Sequence, residues 1–204
     1  ENRTQGFRLF REGSADEQRI KLNIGTGAAE SWNDGGVIDV NAGEWVHVAF
    51  TVTESQSTIY LNGVAMDTGN LAAPIDWTGV EQLTIGAGGE TFSYWDHKYD
   101  SSAIDELRIF DKALSQDEIS NLINASSETL KISFDGSYQD AASNRDIATV
   151  GNPGYAGEAA AGSNAYAGAA DSYLTASTEG LTSSQFSATF WYKADATNDR
   201  AGIL

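Results

Sequence analysis

The sequence predicts an all-β protein, a sandwich or barrel of antiparallel strands with one short helix. Three observations predict it. Apolar and polar residues alternate with period two in many short runs, which sends successive side chains to opposite faces of a sheet. Turn signals separate the runs at roughly the 8–12-residue spacing of sandwiches and barrels. Only one segment has helical spacing.

The elements follow in order. Phe7–Phe10, Arg19–Ile24, Trp45–Val52, Thr58–Leu61, Ile104–Phe110, Leu130–Phe134 and Phe186–Tyr192 read as strands, rich in β-branched and aromatic residues. Asp34-Gly35-Gly36, Asn41-Ala42-Gly43, Gly86–Gly89 and Asp135-Gly136 read as turns. Asn62-Gly63 predicts a type I′ hairpin, because both residues tolerate positive φ. Ser115-Gln116-Asp117-Glu118 is a capping box, and Ile119, Leu122 and Ile123 behind it predict a two-turn amphipathic helix. Trp45, Phe50, Phe190 and Trp191 sit inside alternating strands and are expected in the core. His47 is expected as a satisfied, half-buried histidine in mid-strand.

Composition narrows the function classes. The chain has 204 residues, 12 Lys+Arg against 29 Asp+Glu, a net charge of -17 and no cysteine. That length fits one large β domain or two small ones. The 41% apolar content argues against disorder. No apolar run approaches the ~20 residues of a membrane helix, so no membrane insertion is expected. The negative charge disfavours nucleic acid and anionic membranes as partners and allows cation binding. Without cysteine there is no disulfide, thiolate metal site or Cys nucleophile.

The run Gly43-Glu44-Trp45-Val46-His47-Val48-Ala49-Phe50, followed by Thr58-Ile59-Tyr60-Leu61-Asn62-Gly63, resembles the central signature of laminin G-like, concanavalin A-type domains. Ala103–Phe110 with Ala113-Leu114-Ser115 is similar to that family's closing strand. The resemblance implies a two-sheet antiparallel jelly-roll sandwich. Leu130–Gly136, Tyr155–Leu174 and Phe186–Lys193 are similar to the family's opening strands. Residues 1–128 thus resemble the C-terminal part of such a domain, and 129–204 its N-terminal part. The expectation is a single domain over 1–204 with its halves in permuted order, a monomer. Circular permutation, a cut from a tandem array, and a parent domain split by an insertion would each give this order.

Glycoside hydrolysis needs two carboxylates on one face with the substrate between them, as in a Glu-x-Asp pattern. No Glu-x-Asp occurs, and Asp105-Glu106 are adjacent, so alternation sends them to opposite faces. There is no Gly-x-Ser-x-Gly, His-Glu-x-x-His or phosphate loop. No enzyme is expected. The resemblance implies a structural Ca²⁺ where opening and closing strands meet. Asp105, Asp135, Gly136 and Asp140 map there, although turn chemistry also explains Asp135, Gly136 and Asp140. The Gly86–Ser102 loop is a candidate sugar site through Tyr94, Trp95, Asp96, His97 and Tyr99, since sugars stack on aromatic rings and need paired hydrogen-bonding groups. The competing reading makes its aromatics plug the end of the sandwich. Trp32, beside a turn, is a further ligand-binding candidate. Asn2-Arg3-Thr4 and Asn124-Ala125-Ser126 are glycosylation sequons.

The sequence therefore predicts a non-catalytic adhesion or carbohydrate-recognition module of a larger protein. Its partner would be a glycan or another domain of that same protein. The resemblance and the cysteine-free acidic composition place it outside the cell or at a bacterial surface. The alternatives are a scaffold that presents an inserted or neighbouring module, as in split jelly rolls of large bacterial adhesins, and a glycoside hydrolase relative.

Overall fold

A computed structural model describes residues 3–14, 17–40, 42–88, 97, 99–120, 122, 128–195 and 200–204. The first strands are β1 (Phe7–Ser14), β2 (Glu17–Gly25) and β3 (Glu30–Ile38). Next come β4 (Val46–Val52), β5 (Gln56–Leu61), β6 (Val64–Asn70), β7 (Gln82–Ile85) and β8 (Ala103–Phe110). After helix α1 (Gln116–Ser120) follow β9 (Glu128–Ile132), β10 (Ile147–Val150), β11 (Gly154–Ala156) and β12 (Ala165–Ala167). The chain ends with β13 (Tyr173–Ser177), β14 (Phe186–Lys193) and β15 (Arg200–Gly202).

The strands form two layers, as a jelly-roll sandwich requires. One layer contains the sheets β15-β1-β2-β3 and β10-β13-β7. Gly86 N–H donates to the Ile203 carbonyl at 2.8 Å and brings the end of β7 to the chain beyond β15. The other layer runs β11-β12-β8-β14-β4-β5-β6, with β9 also paired to β8. Every sheet combines strands from before and after α1. β14 lies between β8 and β4, and β15 pairs with β1. Next to β15, Leu9 N–H donates to the Leu204 carbonyl at 2.9 Å.

Period two explains the core. Phe186, Ala188, Phe190 and Tyr192 of β14 point inward, where they join Leu9, Ile20 and Leu22 from the opposite layer. Phe7, Phe50 and Phe186 form a ring cluster with centroids 5.1–5.5 Å apart. Trp77 packs on Phe186 at 5.4 Å and donates its indole N–H to the Ser183 carbonyl at 2.9 Å. Asn62 and Gly63 take φ of 50° and 77°, the predicted hairpin geometry between β5 and β6.

The helix begins with the predicted box: Ser115 N–H donates to Glu118 Oε2, and Glu118 N–H donates to Ser115 Oγ. It is shorter than the spacing suggested, five residues. Ile119 and Leu122 lay it on the outside of the second layer against Ala49, Tyr60, Phe110 and Leu114. Ile123 lies outside the described residues.

Two expected core residues are elsewhere. Trp45 is only half-buried and precedes β4. Trp191 is 37% exposed. Its neighbour Phe190 points inward, so strand alternation turns Trp191 outward. Among the described residues no helix is long and apolar enough to cross a membrane.

Replacing Phe50 with alanine is expected to cost roughly 3–5 kcal/mol, because it empties the ring cluster between the layers. Urea unfolding measures this directly. A loss below about 1 kcal/mol would contradict the central placement of that ring.

Candidate functional site

The outer face of the second layer carries a groove of about 480 Å³ beside α1. Trp191 and Thr189 of β14, His47 of β4, and Glu106 and Arg108 of β8 line it, together with the Asn62-Gly63 turn. Strand register puts these side chains together. Thr189 lies opposite Arg108 and Trp191 opposite both Asp105 and His47. Directly opposed residues share a face.

A β-bulge shapes the groove. Between the Thr189 and Trp191 pairings, β8 inserts an extra residue, and Glu106 takes φ of 52°. A non-glycine residue there stores strain of about 1–3 kcal/mol. The bulge overturns the expectation that Asp105 and Glu106 face opposite sides: Asp105 shares the outer face with Trp191, and Glu106 lines the groove beside it. Arg108 Nη2 donates to Glu106 Oε2 at 2.9 Å, and its Nη1 donates to the Leu122 carbonyl at 3.0 Å.

His47 forms the groove's inner wall. Its Nε2 is 2.5 Å from Thr189 Oγ1, and its ring meets Trp191 edge-on at 5.1 Å. Asn62 clips its backbone, accepting from His47 N–H and donating its own N–H to the His47 carbonyl. Burial, reinforced by the Arg108 charge, pushes the His47 pKa down to about 4. At neutral pH the imidazole is uncharged.

The predicted cation residues divide into two groups. Asp105 is 0% exposed; its Oδ2 accepts from Ala160 N–H at 2.9 Å and Ala161 N–H at 3.0 Å. Its Oδ1 is buried with no hydrogen-bond partner among the described residues. Burial, aided by the Glu106 charge, holds this carboxyl above its ordinary pKa despite its backbone-amide donors. Asp135 Oδ1 accepts from Ser163 N–H at 2.6 Å and Asn164 N–H at 3.1 Å, which lowers its pKa. The two carboxylates therefore grip one stretch, 160–164. Gly162, at φ 72°, permits this, since a Cβ there would lie 2.2 Å from Asp135 Oδ2. Gly136, at φ 77°, closes the turn after β9 by donating to the Phe134 carbonyl.

Asp140 stands apart. It accepts from Lys131 N–H, Ala142 N–H, Ser143 Oγ–H and Arg145 N–H, with Arg145 Nε at 3.8 Å. Burial works against its charge, but these donors outweigh it and hold the pKa below the ordinary value. Its lone pairs are spent on the turn it organises.

Of the predicted sugar residues, Trp32 and His97 meet at Phe10 on the outer face of the first layer. Trp32 on β3 is 42% exposed and meets the Phe10 edge at 5.8 Å. His97 packs on the same Phe10 ring at 4.5 Å, with Nε2 3.9 Å from Glu12 Oε2. The structure thus brings Trp32 and His97 to one face through Phe10, with His97 buried and Tyr99 half-buried. Tyr94, Trp95 and Asp96 lie outside the described residues. The groove residues Trp191, Glu106 and Arg108 were missed as a site. Strict alternation flags Trp191, but the bulge that exposes Glu106 has no sequence signature, because no glycine marks it.

Protonating buried His47 must cost stability. Its folded pKa of about 4 lies below the ordinary 6.5, so the unfolded chain binds the proton first. Stability is therefore expected to fall by roughly 2–3 kcal/mol as pH drops through that window. Denaturant midpoints of wild type and His47→Gln from pH 7 to 4.5 check this, with the flatter profile in the variant. Parallel profiles would refute a neutral, buried His47.

Comparison with known proteins adds the family. Residues 1–120 match a laminin G family model described as the concanavalin A-like lectin/glucanases superfamily. No curated protein and no solved structure matches the chain. The matched stretch holds His47, Asp105, Glu106 and Arg108, whereas Trp191 and Asp135 come from beyond it. With its two antiparallel layers and this match over more than half its length, the chain belongs to the laminin G family of the concanavalin A-like lectin/glucanase superfamily.

Proposed function

We propose that this chain is a non-catalytic carbohydrate-recognition module of an extracellular protein, and that the sugar lies in the Trp191 groove. Membership of the superfamily supports a carbohydrate-binding or structural β-sandwich module. The observation that carries the finer reading is the exposed indole of Trp191 in a preformed groove, beside fixed polar groups. A pyranose presents an apolar C–H face to such a ring and hydroxyls to its surroundings. Catalysis is disfavoured by the states of the two nearest carboxylates. Asp105 is sealed beneath Ala160 and Ala161, and Glu106 is tied to Arg108. Neither flanks an open bond from an opposite side.

The second reading is a scaffold that presents a neighbouring module. The adjacency of β15 and β1 favours it, because chain leaving one strand lies beside chain entering the other. A glycan array with wild type, Trp191→Ala and Trp32→Ala separates the readings. Wild type is expected to bind, and Trp191→Ala to lose at least tenfold in affinity, about 1.4 kcal/mol. Trp32→Ala is expected to bind like wild type. If Trp32→Ala is the variant that loses binding, the site moves to the first layer. If wild type binds no glycan, the scaffold reading replaces this one.

Calcium belongs to the same proposal. The unpartnered, buried Asp105 Oδ1 beside a loop shared with Asp135 is what a cation would satisfy. Among the described residues no three His, Asp or Glu side chains converge, so main-chain carbonyls and water would complete the shell. When bound, Ca²⁺ would neutralise both carboxylates and tie β8, the turn after β9 and the 160–164 stretch together. Melting with calcium against chelator is expected to show a higher Tm in calcium for wild type and Asp140→Asn, and no shift for Asp105→Asn. A shift that survives Asp105→Asn would remove Asp105 from the site.

A further inference from the structure

We infer that the groove selects uncharged sugars over acidic ones and that Glu106 is the residue that decides, an inference resting on the sugar reading of the groove. The starting observation is strain. β8 holds a glutamate in the left-handed region at φ 52°, where glycine would sit without cost. The distortion aims a carboxylate at the face shared with Trp191.

The chemistry of the lining fixes the preference. A carboxylate only accepts hydrogen bonds, so it pairs with hydroxyls, which donate. Arg108 holds one oxygen of Glu106 and leaves the other for a ligand. The Asn62 amide oxygen is taken by His47 N–H, which leaves its NH₂ as a donor at the rim. One acceptor and one donor beside an aromatic face match vicinal hydroxyls of a pyranose ring.

The same lining rejects an anion. Among the described lining residues Arg108 is the only cationic side chain, and both its terminal nitrogens are committed, to Glu106 and to the Leu122 carbonyl. Its charge is already paired with Glu106, so a ligand carboxylate meets no unneutralised cation in the groove. His47 is neutral and bonded to Thr189. A uronic or sialic acid would bring a second negative charge beside Glu106, and the single Arg108 charge that faces it is already balanced by Glu106.

The test pairs neutral and acidic glycans of matched backbone, measured by calorimetry on wild type, Glu106→Gln and Glu106→Gly. Wild type is expected to bind the neutral partner at least tenfold more tightly. Glu106→Gln keeps the shape but gains a donor and loses the charge, and is expected to shrink that ratio to below threefold. Glu106→Gly is expected to match or exceed the wild-type Tm, since it releases strain, while losing neutral-sugar binding. This separates a folding defect from a site defect. If Trp191-dependent binding is present but acidic glycans bind equally well, or Glu106→Gln leaves the ratio unchanged, the selectivity inference falls and the sugar reading stands. If no glycan binds at all, the sugar reading itself falls.

Discussion

The pairing of β14 between β8 and β4 is the constraint on which the rest of the structure depends. This central strand works on both faces. Its inward residues join the ring cluster and the main core. Its outward residues, Ser187, Thr189 and Trp191, have three different tasks. Ser187 Oγ accepts from Leu114 N–H and donates to the Lys112 carbonyl, anchoring the segment that leads into α1. Thr189 fixes His47. Trp191 forms the aromatic wall of the groove. A one-residue slip would exchange the two faces and lose core and groove together.

Buried polar groups hold the end of the sandwich. Arg11 lies fully buried on β1 and reaches Asp100 at 3.3 Å. Asp100 also accepts from Tyr192 Oη at 2.6 Å and from Ser102 N–H. Burial works against the Arg11 charge, but its neighbours, Asp100 among them, outweigh it and raise the pKa above its ordinary value. Among the described residues, two of its guanidinium nitrogens have no hydrogen-bond partner. The pair therefore specifies how β1 meets the opposite layer more than it adds stability, since buried ion pairs scarcely repay desolvation.

The acidity of the chain has a structural side as well. Asp76, Asp105, Asp135 and Asp140 each accept from backbone amides in turns or loops. These bonds satisfy donors that no strand ladder reaches. Asp105 and Asp135 differ from the others in gripping the same loop from two strand ends, and Asp105 retains an unused buried oxygen. Across the strand from Asp105 lies Trp191, so the cradle and the groove share a wall through Ala161.

Local pattern determined a good deal of this molecule. Alternation, turn residues and the capping box prescribe most strands, the Asn62-Gly63 hairpin and the helix start, because each depends on neighbours within a few residues. The signature around Trp45–Gly63 and Ala103–Ser115 also carried the family. The site was less legible. Asp105 and Asp135 were visible as candidates, yet only tertiary structure showed that they share a loop while Asp140 is consumed by its own turn. Trp191 is expected in the core because it sits inside an alternating strand, and only the pairing of β14 assigns it and Phe190 to opposite faces. The Glu106 bulge was invisible, since it arises from register between β8 and β14, strands more than seventy residues apart in sequence. Sequence determines what a segment prefers locally; cross-strand register decides which side chains meet, because it is set by packing over the whole sheet.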